Sequence, residues 1–88
     1  MSRADDLRNR MALADRKVVS RATMQALSAI QFYPPHVQVL ALGVLFMAMA
    51  RHHGVRTHDA LLITDNVAGN PPAPEFRAVN GYMKGYIR

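Results

Sequence analysis

Apolar positions along this chain recur at helical spacing in four stretches, parted by Phe32-Tyr33-Pro34-Pro35, by Arg51-His52-His53-Gly54 and by Ala68-Gly69-Asn70-Pro71-Pro72-Ala73-Pro74. Residues 3–32 contain neither glycine nor proline and are rich in the good helix formers Ala, Leu, Met and Arg. On a wheel of 3.6 residues per turn Leu7, Met11, Ala14, Val18 and Ala22 share one stripe, while Met24, Leu27 and Ile30 fall on a face rotated well away from it. An unbroken helix here would be about 45 Å long at 1.5 Å per residue, longer than a domain of this size is wide. The change of face near residues 20–23 therefore predicts a bend, a break at Ser20, or a basic helical arm over residues 1–19 that projects and docks elsewhere.

The second stretch is the least ordinary. From Val37 to Ala50 the only polar side chain is Gln38, so a helix over residues 36–51 has no angle at which it meets water with a polar face. A membrane span needs about 20 apolar residues, and this run covers only about 21 Å of a hydrocarbon core about 30 Å thick. A helix apolar all round is otherwise a buried one, and three short neighbours have little surface with which to bury it. Self-association or a partner protein is the expected way to complete the burial. Pro35 suits the first turn of this helix. Arg51, His52 and His53 place cationic or polar groups at the negative end of its dipole, and Gly54 is free to take the left-handed conformation that ends it.

Thr57 reads as the N-cap of a short helix running to about Val67, with Asp59 in its first turn and Ala60, Leu61, Leu62 and Ile63 as apolar content. After the breaker-rich loop, Pro74 and Glu75 suit a helix start, and Phe76, Val79, Met83 and Tyr86 follow the rhythm of a docked face. Gly81 and Gly85 each cost this helix about 1 kcal/mol relative to alanine, so it depends on what it docks against. The expected fold is all-α, one domain over residues 1–88, a compact bundle of four to five short helices around the central apolar helix.

Length and composition narrow the chemistry. A chain of 88 residues has room for one modest core. With no cysteine, disulfides, thiolate metal sites and thiol catalysis are excluded. The opening Met-Ser-Arg-Ala-Asp-Asp carries charges of both signs with no uniform apolar stretch behind it, unlike a secretory signal, so the cytoplasm is the expected location. The formal charge is +5, with six basic groups against three acidic in residues 1–23, two of each in 24–70, and three against Glu75 in 71–88. Basic ends around a neutral middle favour nucleic acid, anionic lipid or an acidic protein as neighbour. Arg3, Arg10 and Lys17 recur every seven residues, and Arg77, Lys84 and Arg88 share one side of the last helix near Tyr82 and Tyr86; with Arg56 they are the candidate phosphate contacts. The same groups equally suit solvated helix faces.

A helix-turn-helix reading centres on Gly54, with Ala50 four residues before it, Val55 after it, Ile63 as an anchor and Thr57 near the start of the second helix. The face that would enter the major groove offers Leu61, Leu62 and Asp65 beside Arg56 and His58, which opposes phosphate approach and forgoes most base-edge hydrogen bonds. His36, His52, His53 and His58 have no histidine or carboxylate four residues away on the same face, so no metal site is expected from them. No phosphate loop, nucleophile elbow or apolar carboxylate pair is present, and Asp5, Asp6, Asp15 and Asp59 all lie beside basic or capping positions. The expectation is no enzyme activity and no cofactor.

Leu27, Pro34-Pro35, the apolar helix, Arg51-His52-His53-Gly54-Val55, Asp59, Pro74-Glu75-Phe76-Arg77-Ala78-Val79, Tyr82 and Met83 together resemble small uncharacterised helical proteins of tailed bacteriophages, over residues 24–87. The final Gly-Tyr-Ile-Arg departs from the more acidic ending of that group. The resemblance implies a phage or prophage origin and an accessory role, in a host cytoplasm or a virion, and carries no site residues over. The leading expectation is a non-enzymatic interaction module that self-associates or binds a host or virion protein, with Val37, Leu40, Val44, Met47, Phe76 and Met83 as candidate contacts and no membrane partner. The alternative is a small basic nucleic-acid-binding protein using the Gly54 turn or the basic ends.

Overall fold

The long N-terminal helical stretch does break, and Asp15 is the reason. Its carboxylate accepts a hydrogen bond from the Lys17 backbone N–H at 2.9 Å and starts a new helix, so the run divides into α1 (Arg3–Ala12) and α2 (Arg16–Ile30). The break falls at residues 13–15 rather than at Ser20, because an N-capping carboxylate decides where a helix restarts whatever the apolar stripe does. The computed structural model describes residues 2–86. Within it follow α3 (Pro35–His52), α4 (Thr57–Ala68), a 3-10 turn over Pro74–Phe76, and α5 (Arg77–Tyr86), making the all-α bundle expected from the pattern.

Helix α1 does not project. It lies against α4, fastened by Arg8, whose guanidinium contacts the Asp5 carboxylate on its own helix and reaches Asp59 of α4 at 3.3 Å. Leu7 and Met11 pack with Ala4 and Phe46 on the buried cluster Ala50, Val55 and Ala60, so the stripe read from the sequence faces the α3–α4 corner. That corner is closed by a pair of backbone bonds, Gly54 N–H to Arg51 O at 3.0 Å and Val55 N–H to Ala50 O at 2.9 Å. With Gly54 at φ +76°, this is the Schellman arrangement, in which a left-handed residue turns the chain back onto the last helical carbonyls. Val55 then lands on Ala50, a contact that the motif itself favours.

Helix α4 begins at Thr57 with Arg56 in the capping position and no side-chain cap bond, one residue before the cap expected at Thr57. Its start is held by the Schellman corner, so a hydroxyl cap is not required to set the entry angle. At its other end Arg16 donates from Nε to the Val67 carbonyl at 3.2 Å, a cation at the negative pole of the helix.

On the opposite side, α2 packs on the 3-10 turn and α5. Phe76 is buried there and Val79 half-buried. The Tyr82 hydroxyl donates to the Gln31 side-chain oxygen, tying α5 to the end of α2. Met83 is exposed, so the docked face of α5 is shorter than its apolar rhythm suggests. At the α2–α3 turn, buried Gln38 donates from Nε2 to Gln31 O at 3.0 Å and to Tyr33 O at 2.7 Å. The lone polar side chain of the apolar helix thus serves carbonyls that the Tyr33-Pro34-Pro35 corner leaves without helical partners.

Candidate protein interface

Helix α3 is covered at its ends and bare in its middle. Among its described side chains only Gln38 and Ala50 are buried. Phe46 and Ala50 turn toward α1 and α4 and, with Leu7, Met11 and Val55, line an apolar cavity of about 200 Å³. The opposite side carries Leu40, Val44 and Met47 with exposures of 66, 65 and 37%, and half-buried Val37 continues the row toward the helix start. These four recur at spacings of three and four residues and so form one stripe. Leu45 is exposed on a flank, and Val39, Leu42 and Met49 are exposed on the Phe46 side itself, so the helix is bare around much of its circumference. A single exposed leucine is ordinary, whereas several exposed apolar side chains side by side make this helix the candidate surface.

The whole molecule carries the same signature. Its accessible surface is 6812 Å², whereas a closed monomer of 9.8 kDa exposes about 5,200 Å². Its radius of gyration is 13.6 Å against about 12 Å for a closed domain of this length. The five buried hydrophobic residues, Leu27, Ala50, Val55, Ala60 and Phe76, include three of the small or medium side chains in the corner cluster. Of the large apolar side chains of α3, Phe46 packs on that core, while Leu40, Leu42, Leu45, Met47 and Met49 stay exposed.

The sequence-derived contact set divides accordingly. Val37, Leu40, Val44 and Met47 are brought together on α3. Phe76 is core, held between the 3-10 turn and α2 because the turn directs its ring inward, and Met83 stands exposed on α5, apart in the chain from the α3 stripe. Leu61 and Leu62, whose apolar character pointed to burial, are exposed on α4 at 56 and 52%, and it is Ala60 that the corner buries.

The candidate phosphate contacts lie on several elements: Arg3 and Arg10 on α1, Lys17 on α2, Arg56 before α4, and Arg77 and Lys84 on α5. Arg10 pairs with Asp6 at 3.1 Å, and Lys17 lines a shallow depression with Arg21 and Glu75. Arg88 and the side chain of Tyr86 lie outside the described residues. Two acidic groups are held in local bonds as well: the Ser2 hydroxyl and Arg8 beside Asp5 lower its pKa below the ordinary 3.8, and Asp59 faces Arg8. His52 and His53 meet edge to face at 5.0 Å, and among the described residues no three potential metal ligands converge. No helix among the described residues is long and apolar enough to cross a membrane. In comparisons with protein-family models, with curated proteins and with solved structures, nothing matches this chain.

Proposed function

We propose that this protein is a non-enzymatic helical interaction module whose working surface is the exposed apolar side of α3. The observation that carries the reading is the exposure of Leu40 and Val44, each about two-thirds accessible in a helix with no polar face. Solvent exposure of such a surface costs about 25 cal/mol per Å² that association recovers. The cavity behind it is walled by Leu7, Met11, Phe46 and Val55 with His53 beside them, a mainly apolar environment that suits packing. The resemblance of residues 24–87 to small phage proteins supports an accessory role for the module.

Light scattering at tens of micromolar, combined with binding of a dye that fluoresces on apolar surface, tests the reading. A homo-oligomer, or a monomer that binds dye, is expected. A monomer with no dye-accessible surface means that the chain covers α3 by itself, and overturns it. The basic ends favour a second reading, nucleic-acid binding, because the net charge is +5. Its signature is low-salt binding to duplex or single strands that falls steeply as salt rises. The apolar α4 face with Leu61, Leu62 and Asp65 weighs against groove reading at the Gly54 corner.

A further inference from the structure

We propose that the cavity between α1, α3 and α4 binds a small, uncharged, hydrocarbon-like molecule about the size of one aromatic ring. The site lies in the corner of the fold, apart from the exposed row of Leu40, Val44 and Met47. The proposal therefore goes beyond the interaction reading and is tested separately from it.

The cavity exists because of the side chains that close the corner. Ala50 and Ala60 form its buried cluster with Val55, and short side chains at both positions leave the space beside them unfilled. Leu7 and Met11 come over that space from α1 and Phe46 from α3, each packed on the cluster and only partly buried. What stays open is about 200 Å³. An apolar cavity of about 150 Å³ with similar side chains in its wall is already large enough to stay dry and take up benzene. Met49 and His53 line the cavity and are themselves exposed, so they mark where it meets solvent and where a ligand enters.

The wall sets the chemistry of the ligand. It presents apolar atoms only, and among the described residues lining it His53 alone can carry a charge. Water in such a space lacks the two to four polar partners that would hold it, and an ionic ligand would lose its hydration without replacement. A hydrocarbon ring loses little and supplies the dispersion contacts that the wall lacks on its open side. The thioethers of Met11 and Met49 adapt in shape and favour the edge of an aromatic ring, and Phe46 offers a ring of its own. These contacts favour an aromatic molecule over a saturated one of equal size.

The test uses the full-length protein with benzene and phenol as probes. Benzene should bind saturably with a dissociation constant of about 1 mM or tighter, raise the thermal midpoint and shift the methyl resonances of Leu7, Met11, Val55 and Ala60. Leu40→Glu, on the exposed row, should leave that affinity unchanged. Ala50→Leu extends a side chain into the cavity and should weaken benzene binding about tenfold or more. Phenol should bind no tighter than benzene, since its hydroxyl finds no partner in the wall. Circular dichroism checks that each variant remains helical, and the methyl shifts of the unmodified protein locate the ligand even if Ala50→Leu fails to fold. Absence of saturation below about 10 mM benzene overturns the site, as does unchanged binding by a folded Ala50→Leu. Shifts confined to Leu40, Val44 and Met47 overturn it too, while leaving the interaction reading standing. Tighter binding of phenol overturns the hydrocarbon assignment.

Discussion

Gln38 shows how one residue can set the exit of one helix and the entry of the next. Its amide bonds Gln31 O and Tyr33 O from a buried position, so Gln38→Leu, nearly matched in volume, leaves two carbonyls short of a donor. A loss of about 1–3 kcal/mol is expected in a denaturant melt. Glycines divide by conformation. Gly54 has φ +76°, and Gly54→Ala should cost about 1–2 kcal/mol because a Cβ is strained there. Gly81 is helical and a Cβ added to it meets nothing within 4 Å; Gly81→Ala should raise stability by about 0.5–1 kcal/mol, read in the same melt. Asp5 supplies the pH dependence. Its pKa is lowered in the folded chain by the Ser2 hydroxyl and Arg8, so its contribution is present above the unfolded value and lost as pH falls through the folded one. Thermal melts from about pH 2 to 6 should therefore lose part of their acid-limb slope in Asp5→Asn. Because nearly half of the Asp5 side chain is open to solvent, that change is small beside the effect of Gln38→Leu.

At the scale of elements, most of what was visible in the sequence concerns where helices start and stop. The Pro34-Pro35 entry and the Gly54 exit of α3 were legible because proline geometry and a left-handed glycine are local properties. The division of α1 from α2 was one of three outcomes the change of face allowed, a bend, a break at Ser20 or an arm, and its position differs because the stripe changes direction over several residues while Asp15 acts at one. Docking of α1 was hidden for a different reason: Leu7 and Met11 announce an apolar face, but the pairing of Arg8 with Asp59 joins residues 51 apart in the chain. Helix α3 is also where the interaction reading is tested by substitution. Val44→Glu places a carboxylate at the middle of the stripe, and Leu40→Glu does so one turn earlier. Each should weaken self-association by about 100-fold or more, measured by sedimentation or light scattering, because a carboxylate buried without a partner costs several kcal/mol. Leu13→Glu is the control: Leu13 is 85% exposed at the end of α1, outside the stripe, and the substitution should leave the assembly unchanged.

For the molecule as a whole, two lightly filled clusters replace one central core. One gathers α1, α4 and the C-terminal half of α3, the other α2, the 3-10 turn and α5. The mid-section of α3 belongs fully to neither and, with Leu13, Phe32, Leu61 and Leu62, contributes to a surface larger than that of a closed domain. If the chain self-associates as proposed, folding and assembly are coupled, and the thermal midpoint should rise with protein concentration, as it does when burial is completed between chains. A midpoint independent of concentration over a hundredfold range would show that the chain is stable alone. The charge of +5 on each copy adds a further expectation: added salt screens repulsion between copies and favours assembly, opposite in sign to its effect on binding nucleic acid.

The sequence by itself determined the helical class, the breakers between elements and the absence of a polar side on α3, since periodicity, capping and turn chemistry act within a few residues. Only the tertiary structure decided that α1 is docked, that Phe76 is core while Met83 is not, and which side of α3 remains open. Those outcomes depend on which helices reach one another, and an all-apolar helix has no periodicity to announce its buried side. Among the described residues, α1 and α4 take Phe46 and Ala50 on the C-terminal half of α3, and the row from Leu40 to Met47 is left facing outward.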